Sequence, residues 1–465
     1  MKSIITLLVS LLTTASLFSQ EITGTWQGTL NVQGAKLEIV FHIEKQGVGH
    51  TSVMDSPTQG AYDIKTTKTT FENGKLQITA AELGVFYQGT LKGDSITGTF
   101  NQNGMPFPLT LIRTEKKTQL RPQEPKAPYP YLVEDVVFTN TKEKIKLSGT
   151  LTLPKEKEKS PAVILIAGSG PNDRDETVFG HKPFWVLADF LSRNGIAVLR
   201  YDKRGVGKSG GEYFTATTHD FADDAEAALN YLKTRKEIDT SNIGLIGHSE
   251  GGVIAPMIAS QNRDVQFVVL MAALGVSGEE LSLAQNQYTF NKTSLTDREK
   301  ESLNEILKNV YASVDNWTGY VGTETERNAL KEELNVLWQN LPMEIRGQVS
   351  KEIFIEKTTA NIATPWFRHF LKENPTAYLQ KLTIPVLAIN GEKDSQVEYK
   401  SNLAAIEAAL NKGNNKQFVI KSFPNLNHLF QESTTGEIDE YAKIEQTISP
   451  EVLLDITNWI VTQIK

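Results

Sequence analysis

The chain has 465 residues, of which 39% are hydrophobic and 22% charged, and its formal net charge at pH 7 is -7. This length exceeds what one growing hydrophobic core sustains, so we expect two or more folding units. The mild negative charge offers no basic surface for nucleic acid. The absence of cysteine excludes disulfides, a cysteine nucleophile and a thiolate metal site.

The first 20 residues have the pattern of a secretory signal peptide. One basic residue, Lys2, precedes an apolar run from Ile4 to about Leu12, and small and polar residues follow up to Gln20. The run is too short and its end too polar for a membrane span, and no other segment approaches that length. We therefore expect cleavage near residue 20, export to the periplasm or medium, and no stable membrane insertion.

Residues 21–115 are predicted to form a small all-β domain. Short alternating runs recur with turn signals about every ten residues, and Asn73-Gly74 and Gly93-Asp94 are typical of hairpin turns. The runs lie at residues 24–30, 36–43, 75–78, 86–91, 95–100 and 107–112. His42 and His50 lack partners at metal-ligand spacing, so we expect hydrogen-bonded or solvated histidines there.

A proline-rich linker is predicted at residues 116–131. Its four prolines, Pro122, Pro125, Pro128 and Pro130, disfavour helix and favour an extended, semi-rigid segment. A domain boundary is therefore expected here.

Residues 132–465 are predicted to form a doubly wound, mostly parallel α/β sheet. A hairpin at 136–138 and 145–153 comes first, and continuous apolar runs suited to buried strands follow at 161–166, 196–199, 243–246, 267–271, 386–389 and 418–420. Helical spacing lies between them, at 184–192, 221–232, 402–410 and 450–464. Alternation of this kind is typical of an α/β fold with helices on both faces of the sheet.

Between about residues 275 and 381 the strand pattern stops, and helix-prone sequence rich in Leu, Glu, Lys and Trp intervenes. We interpret this insertion as a helical cap over the carboxyl ends of the strands. A purely structural helical bundle is the alternative.

Ser249 lies on a strand-to-helix turn. The apolar run at 243–246 is broken by Gly247-His248-Ser249-Glu250-Gly251 and followed at once by a helix-forming stretch. This arrangement resembles the nucleophile elbow of α/β-hydrolases, in which the serine projects from the sheet edge and the helix N-terminus favours developing negative charge. The pattern therefore predicts a nucleophilic serine.

A serine nucleophile needs a base to take its proton and an acid to orient that base. Asp394 follows the strand at 386–389 on a tight turn, with Glu392 and Glu398 as rival carboxylates. His428 follows the last predicted strand, and no other histidine lies beyond Asp394. The order serine, acid, histidine matches that of α/β-hydrolases.

An oxyanion needs two preorganised N–H donors. We assign one to the backbone of Glu250, which follows the nucleophile, and the other to the backbone of Ser169, in the glycine-rich loop after the strand at 161–166. For the Glu250 side chain the sequence allows two interpretations: it is a structural carboxylate, or it shapes the substrate pocket.

Five ordered motifs carry a family resemblance over residues 130–465. They lie at residues 167–175, 200–210, 247–252, 391–394 and 427–431. Together they resemble secreted bacterial α/β-hydrolases of the carboxylesterase and serine-aminopeptidase-like type. The N-terminal domain resembles the lipocalin-like modules that precede some of these enzymes.

The resemblance implies hydrolysis of a small carboxylic ester by Ser249, His428 and Asp394, with no metal or organic cofactor. It implies a loop-fixing role for Asp202, Arg204 and Ser209. We expect an ion-pair cluster at residues 173–175, and helix packing or an acyl-pocket wall at residues 365–370. A peptidase and a catalytically silent binding protein are the alternatives, and the oligomeric state has no signature in the sequence.

Overall fold

The computed structural model describes residues 21–32, 35–59, 61–115, 121–155, 158–315, 317, 322–347 and 349–464. These fall into two compact units, the first containing residues 21–32 and 36–115 and the second residues 121–464. The predicted signal peptide lies outside the described residues, as does the start of the predicted linker at 116–120. Within the described ranges, no helix is long and apolar enough to cross a membrane.

The first unit is a closed antiparallel β-barrel. Its strands are β1 (Gly24–Val32), β2 (Ala35–Gln46), β3 (Gly49–Ser56), β4 (Ala61–Lys65), β5 (Lys68–Glu72), β6 (Lys75–Ala80), β7 (Val85–Lys92), β8 (Ser95–Gln102) and β9 (Met105–Thr114). They follow the order β2-β1-β9-β8-β7-β6-β5-β3-β4, and an additional β2–β3 pairing closes the sheet. Closure leaves few unpaired strand edges, which an open sheet of this size would expose.

Alternating side chains fill the barrel. In β7 the burial pattern alternates along all eight residues, as expected for a strand with one face on a core and one on solvent. Trp26, Phe41 and Tyr87 are fully buried there. One part of the interior is a cavity of about 600 Å³ whose walls include Met54 and Phe100.

Strands β3, β4 and β5 have no counterpart in the predicted runs. Their sequence is rich in threonine and other polar residues and lacks a regular alternation. They are held by pairing with neighbours, as in the seven-residue register of β2 against β3. His42 in this region bridges Thr25 and Asp55 at 3.0 and 2.8 Å, so it is a hydrogen-bonded histidine.

The second unit is built on an eight-stranded sheet. Its strands are β10 (Tyr131–Asn140), β11 (Ile145–Pro154), β12 (Ser160–Ile166), β13 (Ala197–Tyr201), β14 (Ile238–His248), β15 (Val265–Met271), β16 (Val386–Gly391) and β17 (Phe418–Phe423). The order is β10-β11-β13-β12-β14-β15-β16-β17. The β10–β11 and β11–β13 pairs are antiparallel and all later pairs are parallel. The predicted fold class is confirmed.

Helices cover both faces of this sheet because the parallel strands are apolar on both sides. Strand β12 is buried along its whole length, which suits a strand between two helical layers. One face carries α1 (Pro183–Arg193) and α13 (Pro450–Gln463). The other carries α2 (Thr218–Lys233), α3 (Gly251–Ala259) and α11 (Tyr399–Lys412).

Seven helices lie between β15 and β16 in the described part of the chain. They are α4 (Gly278–Phe290), α5 (Asp297–Ser313), α6 (Glu324–Asn340), α7 (Met343–Arg346), α8 (Lys351–Ile362), α9 (Pro365–Lys372) and α10 (Thr376–Leu379), and α12 (Ile438–Tyr441) follows β17. These inserted helices have a hydrophobic core of their own, which includes Leu303, Leu330 and Leu334. Side chains at the N-caps of α4, α5 and α6 each form a capping box, which satisfies two otherwise unpaired backbone groups at the helix start.

The end of the predicted linker packs on the second unit. Arg121 donates hydrogen bonds to the main-chain oxygens of Phe179, Gly180, Ala442 and Ile444. These bonds fix residue 121 at the start of the second unit.

Candidate active site

Ser249 lies in a strained turn between β14 and α3. Its φ angle is +52°, a left-handed conformation that is uncommon and strained for a non-glycine residue. A Cβ atom at Gly247 would collide with the main-chain oxygen of Gly251, and one at Gly251 would collide with that of Ile166. The two glycines let the backbone close up around the serine, which is only partly exposed.

Asp394 and His428 are joined directly. Nδ1 of His428 lies 2.7 Å from Oδ2 of Asp394, and both side chains are buried. The other carboxylate oxygen of Asp394 accepts hydrogen bonds from the backbone N–H groups of Gln396 and Val397, at 2.8 and 2.9 Å. Asp394 is therefore held in one orientation, and it holds the histidine ring in turn.

The two other candidate carboxylates, Glu392 and Glu398, bind other groups. Glu392 accepts a hydrogen bond from Ser422 at 2.8 Å, and this pair is exposed to solvent. Glu398 is the N-cap of α11 and accepts from the backbone of Lys400 and Ser401 at 3.0 and 2.8 Å. Of the three candidates, Asp394 is the one that contacts His428.

His428 is connected to the serine turn through His248. The rings of His248 and His428 have centroids 4.8 Å apart, and Nε2 of His248 donates to the main-chain oxygen of His428 at 3.0 Å. Among the described residues, Ser249 Oγ has no hydrogen-bond partner, so a direct bond from the serine to His428 is not formed here. Hydrogen bonds of this kind are often long in ligand-free enzymes and tighten with substrate.

The loop after β12 lies against the serine. A Cβ atom at Gly168 would lie 3.1 Å from the Cβ of Ser249, which brings the neighbouring Ser169 to the same site. Across the described ranges, the N–H groups of Ser169 and Glu250 have no hydrogen-bond acceptor. Two unpaired donors beside one serine are what an oxyanion site requires.

The Glu250 side chain lies in the protein interior and is only 1% exposed. It accepts hydrogen bonds from Thr218 at 2.8 Å and from the indole N–H of Trp366 at 2.7 Å. The ammonium group of Lys203 lies 3.3 Å away. Of the two interpretations left by the sequence, the structural carboxylate is the one these contacts favour.

The loop after β13 is fixed by ion pairs. The guanidinium of Arg174 binds both oxygens of Asp202, at 3.0 and 2.8 Å. Arg204 likewise makes a bidentate pair with the buried Asp224, at 2.7 and 2.9 Å. Ser209 donates to the main-chain oxygen of Asp202 at 2.7 Å. These contacts agree with the loop-fixing role that the resemblance implies.

Residues 173–175 have separate roles. Asp175 pairs with the buried Arg200, whose pKa burial lowers to about 10. Asp173 instead accepts from the backbone and hydroxyl of Thr177 at 2.9 and 2.8 Å. The cluster therefore consists of ion pairs made by Arg174 and Asp175, beside a turn that Asp173 stabilises.

The aromatic segment of α9 packs against its neighbours. The rings of Trp366 and Phe370 are stacked with centroids 5.1 Å apart, and Phe367 meets Tyr311 at 5.8 Å. Helix packing therefore accounts for these residues, and the Trp366 indole N–H adds the contact to Glu250.

Sequence reasoning missed the contacts of three buried residues, Glu176, Lys203 and His248. Oε1 of Glu176 lies 3.0 Å from Nδ1 of His248 and accepts from the Gly168 N–H at 2.7 Å. Lys203 donates to the main-chain oxygen of Gly168 at 2.6 Å. Each lies inside or beside a predicted motif, but apart from Gly168, which is eight residues from Glu176, the partners lie 35 or more residues away. Within the described ranges, no cluster of three or more His, Asp or Glu side chains could hold a metal ion.

Two curated relatives match part of the chain. Esterase EstD of Thermotoga maritima is 29% identical over 317 residues, which are 68% of this chain and 65% of the relative. An uncharacterised protein of Escherichia coli O157:H7, YfhR, is 27% identical over 145 residues, 31% of this chain and 48% of the relative. The chain thus spans less than two thirds of either relative.

Among solved structures, the esterase PF2001 of Pyrococcus furiosus is similar over 74% of this chain and 97% of its own, with 16% identity and a TM-score of 0.44. The family described as Hydrolase_4 (serine aminopeptidase, S33) matches residues 184–433. That stretch contains the serine turn, Asp394 and His428 and is more than half of the chain. The chain therefore belongs to the Hydrolase_4 family of α/β-hydrolases.

Proposed function

We propose that this protein is a serine hydrolase that cleaves carboxylic esters through an acyl-enzyme on Ser249. The observation that carries the proposal is the 2.7 Å hydrogen bond between His428 and Asp394, beside a serine held at positive φ. The likeness to a relative named as an esterase also supports it.

In the proposed first step, Ser249 Oγ attacks the ester carbonyl carbon. Nδ1 of His428 is bound to Asp394, so Nε2 is the nitrogen that takes the serine proton, and the buried carboxylate stabilises the imidazolium that results. The carbonyl oxygen becomes an oxyanion, for which the N–H groups of Ser169 and Glu250 are the donors.

Collapse of this intermediate breaks the bond to the leaving alcohol, which receives the proton from Nε2 of His428. The acyl group stays on Ser249. A water molecule then gives its proton to His428 and attacks the acyl carbon, and the carboxylic acid leaves as Ser249 regains its proton.

A peptidase is the second candidate, because the family is described as serine aminopeptidase. An aminopeptidase needs a carboxylate for the amine of its substrate. Glu250, the carboxylate nearest the serine in sequence, already accepts from Thr218 and Trp366 and faces Lys203. Because these contacts occupy both its oxygens, we favour esters over peptides.

The test compares short-chain p-nitrophenyl esters with aminoacyl p-nitroanilides. We expect measurable ester hydrolysis, anilide cleavage at least about 100-fold slower, and loss of ester hydrolysis by a factor of about 10³ or more in Ser249→Ala. The matched control is Ser241→Ala, an exposed serine at the other end of β14, which should keep wild-type rates. Esterase activity that survives Ser249→Ala would refute the proposal.

Faster cleavage of anilides than of esters would select the peptidase. Absence of both activities in folded wild-type protein would favour the silent binding protein.

We also propose that the protein is exported, on the strength of the apolar pattern in residues 1–20. Cell fractionation and N-terminal sequencing test this. A mature chain that starts near residue 21 is expected, and an intact N-terminus in the cytoplasm would contradict it.

A further inference from the structure

A buried ion pair lies next to the backbone of Glu250 and Gly168, beside the two N–H groups assigned to the oxyanion site. Glu250 is 1% exposed and Lys203 4% exposed, and their charged groups are 3.3 Å apart. Burying two charges is unfavourable unless further hydrogen bonds compensate. Both groups have such bonds, so their geometry is tightly determined.

Lys203 binds the peptide group that carries one of these donors. Its ammonium donates to the main-chain oxygen of Gly168 at 2.6 Å, and the side-chain amide of Asn172 donates to the same oxygen at 2.8 Å. The C=O of Gly168 and the N–H of Ser169 belong to one planar peptide group. Fixing the oxygen therefore fixes the direction of the Ser169 N–H, and a cation at the oxygen polarises that N–H.

Glu250 carries the other donor on its own backbone. Its carboxylate is held by Thr218 at 2.8 Å and by Trp366 at 2.7 Å, so the residue is anchored at both the main chain and the side chain. Because the same carboxylate faces Lys203, one ion pair connects the two donor-bearing loops.

Lys203 has little room to shift. Its ammonium lies 4.3 Å from the centre of the Phe221 ring, a cation–π contact that is strongest away from water. Its own backbone N–H donates to the main-chain oxygen of Asn172 at 3.1 Å. The lysine is thus clamped between α2 and the loop that holds Gly168.

We propose that the Lys203–Glu250 ion pair positions the oxyanion hole, an inference that rests on the proposed hydrolase function. Lys203 and the Glu250 carboxylate are positioning residues, since they act through the backbone N–H groups of Ser169 and Glu250. The pair strengthens donors that are used mainly in the transition state, so it affects kcat more than KM.

The variants are Glu250→Gln, Lys203→Met and the double variant. Glu250→Gln keeps the size of the side chain and an acceptor for Trp366 but removes the charge. Loss of one oxyanion donor costs about 10²- to 10³-fold in kcat, and misplacement should cost less. We expect kcat for a p-nitrophenyl ester to fall about 10- to 100-fold in each variant, with KM within about threefold of wild type.

The double variant provides a second measurement, the non-additivity of the losses in kcat. If the two residues act as one unit, the double variant should lose no more than the worse single variant. Lys203→Met leaves a buried carboxylate without its cation. If that variant does not fold, the test uses Glu250→Gln and the double variant, in which neither charge is present. Lys208→Met is the matched control, because this lysine of the same loop is 74% exposed and should keep wild-type kcat.

The third measurement is the inhibition constant Ki of an alkyl trifluoromethyl ketone, which forms a tetrahedral oxyanion on the serine. Its Ki should rise in proportion to the fall in kcat/KM across the variants. A folded Glu250→Gln with wild-type kcat, losses that add in the double variant, or a Ki that stays constant while kcat falls would each overturn the inference. Failure of the proposed function is distinguished from this by Ser249→Ala, which would then retain activity.

Discussion

The ring of His248 donates a hydrogen bond from Nε2 to the main-chain oxygen of His428, at 3.0 Å. The other ring nitrogen faces Oε1 of Glu176 at 3.0 Å. Burial by itself would lower the pKa of His248, but the charge of Glu176 and its hydrogen bond outweigh burial and raise the pKa. His248 thus links the serine turn to the loop of His428 and to Glu176, and Glu176 favours its protonated form.

Replacing His248 should therefore destabilise the protein through Glu176. His248→Leu leaves a buried carboxylate uncompensated, and the free energy of unfolding should fall by about 3–5 kcal/mol. Adding Glu176→Gln removes that charge and should recover part of the loss. Urea unfolding at pH 6 measures both, and a double variant less stable than His248→Leu would contradict the pair.

The same pair predicts a pH dependence with a definite sign. A histidine whose pKa is raised by folding stabilises the protein fully below its unfolded pKa, and that stability is lost as pH rises through the folded value. The groups facing His248 are Glu176, His428 and Asp394. The stability advantage of wild type over His248→Leu should thus be largest near pH 6 and shrink at alkaline pH, and an advantage that grows with pH would contradict this assignment.

Asp394 should be required for ester hydrolysis and Glu392 should not. Asp394→Asn keeps the shape but reverses the hydrogen-bond preference toward His428, so kcat should fall by about 10³- to 10⁴-fold. Glu392→Gln, two residues away and bonded to Ser422, is the matched control and should stay within about twofold of wild type. Steady-state rates with a p-nitrophenyl ester distinguish the two, and equal losses would refute the assignment of the acid.

His181 should make the protein sensitive to acid. Burial, with the charge of Arg121 adding to it, lowers its pKa from 6.5 to about 4, and the neutral ring is bonded to Thr447 and the main chain of Tyr441. At pH values between about 4 and about 6.5, His181 is protonated in the unfolded chain and neutral in the folded chain. The free energy of unfolding therefore decreases as pH falls through this range, by about 3 kcal/mol in total.

His181→Asn removes this titration, so unfolding curves of wild type and variant should converge as pH drops from 7 toward 4.5. Curves that stay parallel over that range would show that His181 is not the group responsible.

Arg204 should matter for stability and little for catalysis. It is buried and bonded at two points to Asp224, which is also buried, so Arg204→Met should cost about 3–5 kcal/mol of unfolding free energy. Lys142→Met, which breaks an ion pair to Asp223 from a lysine that is 58% exposed, should cost less than about 1 kcal/mol. Thermal or urea unfolding compares them, and similar small losses for both would argue against a loop-fixing role.

Much of the architecture could be predicted because strands and helices depend on local patterns. The continuous apolar run at 161–166 marks β12, and the hairpin signals Asn73-Gly74 and Gly93-Asp94 coincide with turns at positive φ. The pattern failed at β3, β4 and β5, whose polar, threonine-rich residues become strands by pairing around a barrel. The pairing of β1 with β9, which brings Thr25 opposite Thr114, is a long-range relation that no local alternation encodes.

By itself the sequence determined the α/β fold class, the order of its elements and the turn that bears Ser249, since these depend on the periodicity and turn residues of short segments. Only the tertiary structure decided which carboxylate contacts His428, and what surrounds Glu250. The donors to Glu250 come from Lys203, Thr218 and Trp366, residues 32 to 116 positions away. A hydrogen bond across such a distance leaves no local pattern, because it exists only once separate elements have packed together.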